Sequence, residues 1–416
     1  MQPASRLTVS GAPAPQRPYA GARVLLGVSG GIASYKSAWL ARLLTLAGAD
    51  VDVVMTPAAL EFVGAITFEA LTGRPVHSAI FAAGNALDHV KLARAADAIV
   101  IAPATADLCA RAASGQANDL LTAILLAASA PVLVIPAMND HMWAHPQTRQ
   151  NIAHLQRIGY HVVPPDDGPL AAGEGSGPGR MPEPETIFAH VGWLLEDRRA
   201  LGGRRIIVTS GPTREAIDPV RFISNHSSGK MGAALAAAAW RRGAEVVLIT
   251  GPGTVTPPPG ACVVRVETTE QMRDAVAREL PDADALIMAA APADFRATEV
   301  EAQKIKKSSA PSSLQLSPTT DILASTVDAR RAGSVIVGFA LETNDVMTHA
   351  REKLVRKQLD LVVVNDATEP GAGFGVDTNR VTLIGRDGAE QRVALMAKRE
   401  LADVILDRVV ALLDGR

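Results

Sequence analysis

Two Rossmann-like, three-layer α/β domains with mostly parallel sheets are the fold class this sequence predicts, and three observations carry that expectation. The chain has 416 residues, more than one hydrophobic core usually supports. Its apolar content is 48% with only 4% aromatic, so Ala, Val, Leu and Ile build the core, which suits closely packed sheets and helices. Short apolar runs alternate with helix-length patterns in both halves, as parallel strands joined by crossover helices require.

The first strand is the run Arg23 to Ser29, followed by Gly30-Gly31 and a helical pattern from Ile32 to Leu46 that Gly48 ends. Val51 to Met55, Ala98 to Ala102 and Val132 to Ile135 read as further strands, and Leu87 to Ala95 and Asn118 to Ala128 as helices. Pro164 to Pro184 is dense in Gly and Pro and reads as a loop. Glu185 to Leu195 then closes a first domain spanning 21–195. Residues 1–20, rich in Pro, Ala and Ser, read as a disordered extension with no apolar stretch long enough for a signal peptide or membrane span, and the expected location is cytoplasmic.

The pattern restarts in a second domain, 196–416. Its strands fall at Arg205 to Thr209, Glu245 to Thr250, Ala285 to Ala289, Ser334 to Phe339, Leu359 to Val364 and Arg380 to Ile384. Its helices include the Ala-rich Gly232 to Arg242 and a closing one, Lys398 to Leu413.

A net charge of −2 gives no footprint for nucleic acid or an acidic membrane surface, so anions must be bound locally. Cys109 and Cys262 are far apart and form no C-x-x-C pair, which disfavours a disulfide framework or structural zinc.

Gly30-Gly31-Ile32-Ala33 lies where a strand meets a helix, so backbone N–H groups can approach a phosphate at the positive helix end. The segment lacks the G-x-G-x-x-G spacing, since Tyr35-Lys36 follows, and a purely structural turn reads equally well. The other strand ends add Met55-Thr56, Ala102-Pro-Ala-Thr-Ala106 and Pro136-Ala-Met-Asn139, a rim of small and hydroxyl residues that accommodates a flat cofactor with a phosphate tail. His89 could act as a base, although a lone His is more often a helix-surface residue.

In the second half, Thr209-Ser-Gly211-Pro-Thr213 follows a strand, and Ser227-Ser228-Gly229-Lys230-Met-Gly232 opens a helix. Hydroxyls and a lysine at a helix N-terminus suit a triphosphate, without the Walker spacing; the plain alternative is a Ser-Gly cap. Asp294 follows a strand where it could bind Mg²⁺ or nucleotide. Lys304-Ile-Lys306-Lys307 borders the Ser/Pro stretch Ser308 to Ser313, either a solvated face or a lid that brings positive charge to phosphates.

These motifs together resemble one family. Gly30 to Lys36, His89-Val-Lys-Leu, Ala102 to Ala106, Pro136 to Asn139 and Gly177-Pro-Gly-Arg180-Met181-Pro-Glu-Pro are similar to the decarboxylase half of the bifunctional phosphopantothenoylcysteine decarboxylase / phosphopantothenate–cysteine ligases, over about Ala22 to Leu195. Ile217 to Gly232, Lys304 to Lys307, Gly338-Phe339-Ala-Leu-Glu-Thr343 and Asn365-Asp366 resemble the ligase half, from Gly203 onward. The resemblance implies a flavodoxin/HFCD-like first domain and a ligase-type second. It implies FMN, which takes electrons from the cysteinyl thiol so that the adjacent carboxylate can leave.

Carried over, His89 is the acid–base residue and Asn139 holds the substrate carboxylate. Ser29, Gly31, Ile32, Ala33, Thr56, Pro103, Ala104 and Thr105 contact the flavin, and Arg180 and Met181 the substrate. In the ligase half, 4'-phosphopantothenate attacks the α-phosphate of CTP and cysteine displaces CMP from the acyl-cytidylate. Asn225 stabilises that intermediate, and Lys304 neutralises phosphate charge. Arg221 partners a substrate anion. Gly211, Ser227, Ser228, Gly229, Lys230, Ala290, Asp294 with Mg²⁺, Lys306, Phe339, Lys353 and Lys357 form the nucleotide and substrate site. The resemblance also implies a homo-dodecamer, built from decarboxylase trimers and ligase dimers.

The sequence departs from the family where its covering loop usually carries a proton-donating cysteine: Leu170 to Gly177 has none, leaving Glu174 as a candidate. Asp107, Pro212 and Pro292 are milder substitutions. A ligase with an impaired decarboxylase half is therefore an alternative. A nicotinamide oxidoreductase is disfavoured by the missing glycine fingerprint, and a non-catalytic flavin-binding subunit by the presence of both His89 and Asn139.

Overall fold

The computed structural model describes residues 18–80, 87–196, 200–253, 255–306, 313–342, 346–366 and 375–415. Most of the expected N-terminal extension, Lys307, positions 308–312 and Thr343 lie outside the described residues. The chain forms two compact units, Met1–Glu196 and Asp197–Arg416.

The first unit runs β1 (Arg23–Val28), α1 (Ser34–Leu46), β2 (Asp50–Met55), α2 (Ala65–Thr72), β3 (Val76–His77), α3 (Asp88–Ala95), β4 (Ala98–Ala104), α4 (Ala106–Ala113), α5 (Leu120–Ala127), β5 (Val132–Pro136), α6 (Asp140–Ala144), α7 (Pro146–Arg157), β6 (His161–Val162), β7 (Asp166–Pro169), β8 (Ser176–Arg180) and α8 (Pro184–Leu195). Six parallel strands make one sheet in the order β3-β2-β1-β4-β5-β6. The order reverses between β1 and β4, which opens a crevice at their carboxyl ends.

Alternate residues of a strand face opposite sides, so β1 feeds two cores. Val24, Leu26 and Val28 pack with Leu40 and Leu44 of α1 and Ile187 and Val191 of α8. Leu25 joins Ile99, Ile101, Leu121, Ile124 and Leu155 on the other face.

Two elements differ from expectation. The first helix begins at Ser34 because Ser34 Oγ donates to Gly31 O at 2.6 Å and to Ser29 O at 3.1 Å, which folds Gly30–Ala33 into turns. The Gly/Pro-rich stretch after Pro164 is a hairpin, β7 pairing antiparallel with β8. Its glycines serve close approach: Gly179 O accepts from Met138 N at 3.0 Å, and a Cβ on Gly179 would lie 2.1 Å from Met138 O.

The second unit runs β9 (Arg205–Ser210), β10 (Arg214–Ala216), β11 (Phe222–Ser224), α9 (Lys230–Arg241), β12 (Glu245–Thr250), β13 (Ala261–Arg265), α10 (Thr269–Glu279), β14 (Ala285–Met288), β15 (Phe295–Ala297), β16 (Leu316–Pro318), α11 (Ile322–Ser325), β17 (Val335–Glu342), α12 (Val346–Arg356), β18 (Leu361–Asp366), β19 (Thr378–Gly385), β20 (Glu390–Ala397) and α13 (Lys398–Asp414). Its eight-stranded sheet has the order β13-β12-β9-β14-β17-β18-β19-β20. The strands are parallel as far as β18, after which β19 and β20 are antiparallel. Ile207, Val247, Leu286, Ile336 and Val362 anchor one face against α10 and α12. β10–β11 and β15–β16 form two small ribbons apart from the sheet.

Candidate active sites

At the carboxyl rim of the first sheet, a cavity of about 420 Å³ is lined by Gly31, Ile32, Ala33, Pro103, Thr105, Asn139, Arg180 and Met181, all singled out in the sequence, and by Tyr35, Lys36, Met138 and Glu174. Gly30 leaves no room for a side chain, since its Cβ would lie 2.5 Å from Ala58 Cβ, whereas a Cβ on Gly31 would meet only Thr105 Cγ2 at 3.6 Å. The chain therefore presents bare backbone at the start of α1, whose first turn holds no acidic residue, beside an apolar wall of Ile32, Met138, Met142 and Leu170. Residues of this kind fit a flat ring with an anionic tail.

Three expected contacts do not line this cavity. Ser29 is buried; its Oγ donates to Pro103 O at 2.8 Å and accepts from Thr105 N at 3.0 Å, tying β1 to β4 at the crevice. Thr56 is buried and caps the turn Pro57–Glu61 by accepting from Ala59 N, and Ala104 is buried in β4. Ser29 and Thr56 shape the rim from behind.

Asn139 caps α6, its Oδ1 accepting from His141 N at 2.9 Å, so its amide nitrogen is the end a carboxylate would meet. Lys36, buried in α1, donates to Met181 O at 2.7 Å and pairs with Glu183 at 3.1 Å. Arg180 pairs with the same Glu183, and together these bonds fasten the hairpin's exit to the helix.

Glu174 is the sole carboxylate among the lining residues. The turn that carries it is closed by Glu174 N to Ala171 O at 2.9 Å and by Leu170 N to Gly175 O at 3.0 Å. Cys109 is no substitute for a loop thiol: it packs against Leu108 and Leu155, and burial, helped by the charge of Asp107, pushes its pKa up to about 12. His89, in the first turn of α3, is not brought to the lining, and its Nδ1 is buried without a partner.

In the second unit a cavity of about 510 Å³ adjoins one of about 210 Å³, and both are lined by Ala290, Asp294, Phe339 and Lys353. The larger also takes Asn225, Ser227, Ser228, Gly229 and Lys230 from the loop leading into α9. Gly229 occupies the N-cap in the left-handed region, φ 77°, which favours glycine. Asn225 Nδ2 donates to Pro292 O at 2.8 Å, joining the two loops that face the cavity.

Lys230 Nζ donates to Asp377 at 2.7 Å and to Gly375 O at 3.1 Å; that bond and the lysine's charge hold the Asp377 carboxyl below its usual range. Burial, then Lys230, pushes the Lys398 ammonium down. Among the residues lining the larger cavity, Asp294 is the one carboxylate beside Lys230, Lys353 and Lys398, and Asp377 pairs with Lys230 from outside that lining, a balance of charge that suits a polyanion. Among the described residues no three His, Cys, Asp or Glu side chains cluster for a metal.

Lys357 lines only the smaller cavity, paired with Asp321 at 2.9 Å, and Lys353 donates to Phe339 O at 2.7 Å. Gly211, Arg221, Lys304 and Lys306 line neither cavity. Gly211, at φ 74°, lies against Gly251 and its carbonyl accepts from Ala291 N. Arg221 bonds Asp218 and Ile305.

Asn365, of the Asn365-Asp366 motif, lines the larger cavity, whereas the sequence reading assigned no site role to Thr319 to Leu323, Asn379 or Lys398. Thr-Thr-Asp before Ile322 is a helix-cap cue, and Asp321 accepts from Ala324 N at 3.2 Å. Asn379 and Lys398 have no local signal and reach the cavity only because β19 folds back along β18.

Two open, mostly parallel sheets, each with its own cavity, define a two-site α/β enzyme. The model of the DNA/pantothenate metabolism flavoprotein C-terminal domain matches residues 201–413, and the Flavoprotein model matches 13–194. The coenzyme A biosynthesis bifunctional protein CoaBC of Mycolicibacterium smegmatis is 49% identical over 409 residues, 95% of this chain and 98% of that protein. The same-named protein of Bacillus subtilis is 44% identical over 394 residues, 94% of this chain and 97% of that protein. A solved C-terminal domain of a CoaBC protein is 37% identical and covers 52% of this chain and 100% of that chain, with a TM-score of 0.46. The chain belongs to the CoaBC family of bifunctional coenzyme A biosynthesis proteins.

Proposed function

We propose that the second unit joins 4'-phosphopantothenate to cysteine at the expense of CTP and that the first unit decarboxylates the resulting phosphopantothenoylcysteine to 4'-phosphopantetheine with FMN. The observation that carries this reading is the pairing, in one chain of this family, of a glycine-cradled, partly apolar cavity with a lysine-ringed one. Bound flavin supplies a two-electron acceptor and donor. The chain itself binds the phosphate tail on the backbone of Gly30 to Ser34, orients the substrate carboxylate on the Asn139 amide, and covers it with the β7–β8 hairpin.

His89 is the acid–base residue of this reading. Because its own cavity does not include it and its Nδ1 is buried and unpaired, we place its action at a subunit boundary, within trimers of the first unit that combine with dimers of the second into a dodecamer. Glu174, which lines the cavity from the hairpin turn, is the proton donor of this reading, to the carbon that loses CO₂.

In the second unit, a carboxylate becomes an acyl donor when its oxygen bonds to the α-phosphate of CTP and pyrophosphate leaves; the cysteine amine then forms the amide and releases CMP. Asn225 orients the acyl-cytidylate, Lys230 and the amides of Ser228 to Lys230 hold phosphate, and Asp294 binds Mg²⁺ with the phosphates. Phe339, Lys353 and Lys357 border the nucleotide, and Lys304 neutralises developing charge.

Among the described residues no helix is long and apolar enough to cross a membrane; the proposed location is the cytoplasm. An absorbance scan and nucleotide titration of the purified full chain test the reading. A bound yellow chromophore and preferential pyrimidine triphosphate binding are expected. A colourless protein that refuses FMN and binds no nucleotide would overturn it.

A further inference from the structure

The stretch Glu301 to Lys306 belongs to neither helix nor strand, yet it is held at Glu301 and again at Ile305 by one turn, Ile217 to Arg221. Within that turn, Ile217 N donates to Arg221 O at 2.9 Å. Asp218 Oδ1 accepts from Val220 N at 2.7 Å and from Arg221 N at 2.8 Å. The other carboxylate oxygen, Oδ2, accepts from Ile305 N at 3.2 Å and from Arg221 Nη1 at 3.1 Å. The same Nη1 donates to Ile305 O at 3.2 Å. Upstream, Glu301 N donates to Ile217 O at 3.0 Å.

Both polar groups of the Ile305 residue, flanked by the two lysines, are thus held by a single ion pair. The Asp218 side chain is 0% exposed and that of Arg221 47% exposed. Burial pushes the Asp218 carboxyl up, but three backbone N–H donors and Arg221 outweigh it and hold it below the usual carboxylate range. This grip has a consequence for Arg221, whose guanidinium is committed to protein partners and lines neither cavity.

We propose that Asp218 and Arg221 are positioning residues for the ligase reaction: they form a latch that fixes the backbone at Ile305 and thereby sets the point from which the flanking Lys304, which lines neither cavity, reaches toward bound nucleotide phosphates, Arg221 acting through the latch rather than by touching a substrate anion. The inference rests on the reading of Lys304 as the charge-neutralising lysine. A lysine on an irregular segment sweeps a wide volume unless its backbone is fixed, and misplacing a catalytic group by about 1 Å can cost on the order of a hundredfold in rate. A buried carboxylate that organises several backbone N–H groups is a stable pivot for such a segment.

The test is a double-mutant cycle on the full chain, reading pyrophosphate release with saturating CTP, phosphopantothenate and cysteine. Asp218→Asn is expected to lower kcat roughly ten- to hundredfold with little change in the KM for cysteine. Trypsin cleavage after Lys304 should become faster in the same variant. Lys304→Ala should lower kcat too, and Asp218→Asn in that background should add almost nothing. Arg221→Gln, at a half-exposed side chain that leaves the turn's own bonds to Asp218 intact, should show the same coupling and covers the case in which Asp218→Asn fails to fold. Losses that multiply in the double variants, or unchanged kcat and unchanged cleavage in the latch variants, would overturn the latch. Wild-type kcat in Lys304→Ala would instead remove the lysine's role, and the latch with it.

Discussion

His190 gives the flavin-type unit a pH-dependent stability that can be worked from the structure. The residue is buried on α8, and its Nδ1 lies 3.0 Å from Nε2 of His161 on β6, whose ring stacks 4.4 Å from that of Trp193. Burial, with His161 adding, pushes the His190 pKa down from 6.5 to about 4. Between these values the unfolded chain binds a proton that the folded chain refuses, so stability is fully present above about pH 6.5 and is lost as pH falls toward 4. The shift corresponds to about 3 kcal/mol across the window, with a slope no steeper than about 1.4 kcal/mol per pH unit. Hydrogen exchange of the α8 peptide under graded urea, at pH 4.5 to 7 and corrected for intrinsic rates, measures it in the full chain. His190→Phe controls for the carboxylates that titrate in the same range, so the readout is the difference between the two proteins. A difference independent of pH would refute the reasoning.

Two further outcomes concern the hairpin over the first cavity. Gly179→Ala places a Cβ 2.1 Å from Met138 O, so the strand must move off the Asn139 loop; a loss of about 1–3 kcal/mol and weaker chromophore retention are expected in thermal melts and absorbance scans, and wild-type behaviour in both would contradict it. Glu174→Gln should leave CO₂ release nearly intact while the unsaturated thiol accumulates in place of the saturated product, as mass spectrometry of the quenched reaction would show; normal product at the normal rate would remove Glu174 from the chemistry.

Much of this molecule is legible from residue patterns because parallel strands buried on both faces are near-continuous apolar runs, as in Val24 to Val28 and Ala285 to Met288. The rim residues are legible for related reasons: Gly30-Gly31 and Pro103 to Thr105 fall at the ends of such runs, and Ser227 to Lys230 carries the hydroxyl, glycine and lysine pattern of a helix start at α9; the fold then gathers each set. What escaped has no local signature. The β7–β8 hairpin is nearly devoid of the β-branched residues that mark strands and is extended because its glycines must pass close to Met138 and Asn139. Asn379 and Lys398 enter the second cavity through antiparallel pairing at the far end of the sheet. Arg221 looks like an anion ligand by its charge and neighbourhood, and only the bonds to Asp218 and Ile305 reveal a structural commitment.

The central claim is that two chemistries occupy two separate catalytic sets in one chain. Purified protein given phosphopantothenate, cysteine, CTP and Mg²⁺ should release pyrophosphate and CO₂ together and yield 4'-phosphopantetheine. His89→Asn should keep pyrophosphate release and the cysteine adduct but lose CO₂, whereas Asn225→Asp should lose pyrophosphate release yet still decarboxylate added phosphopantothenoylcysteine. Loss of both activities from either single change, in protein that remains folded, would contradict the separation of the sites.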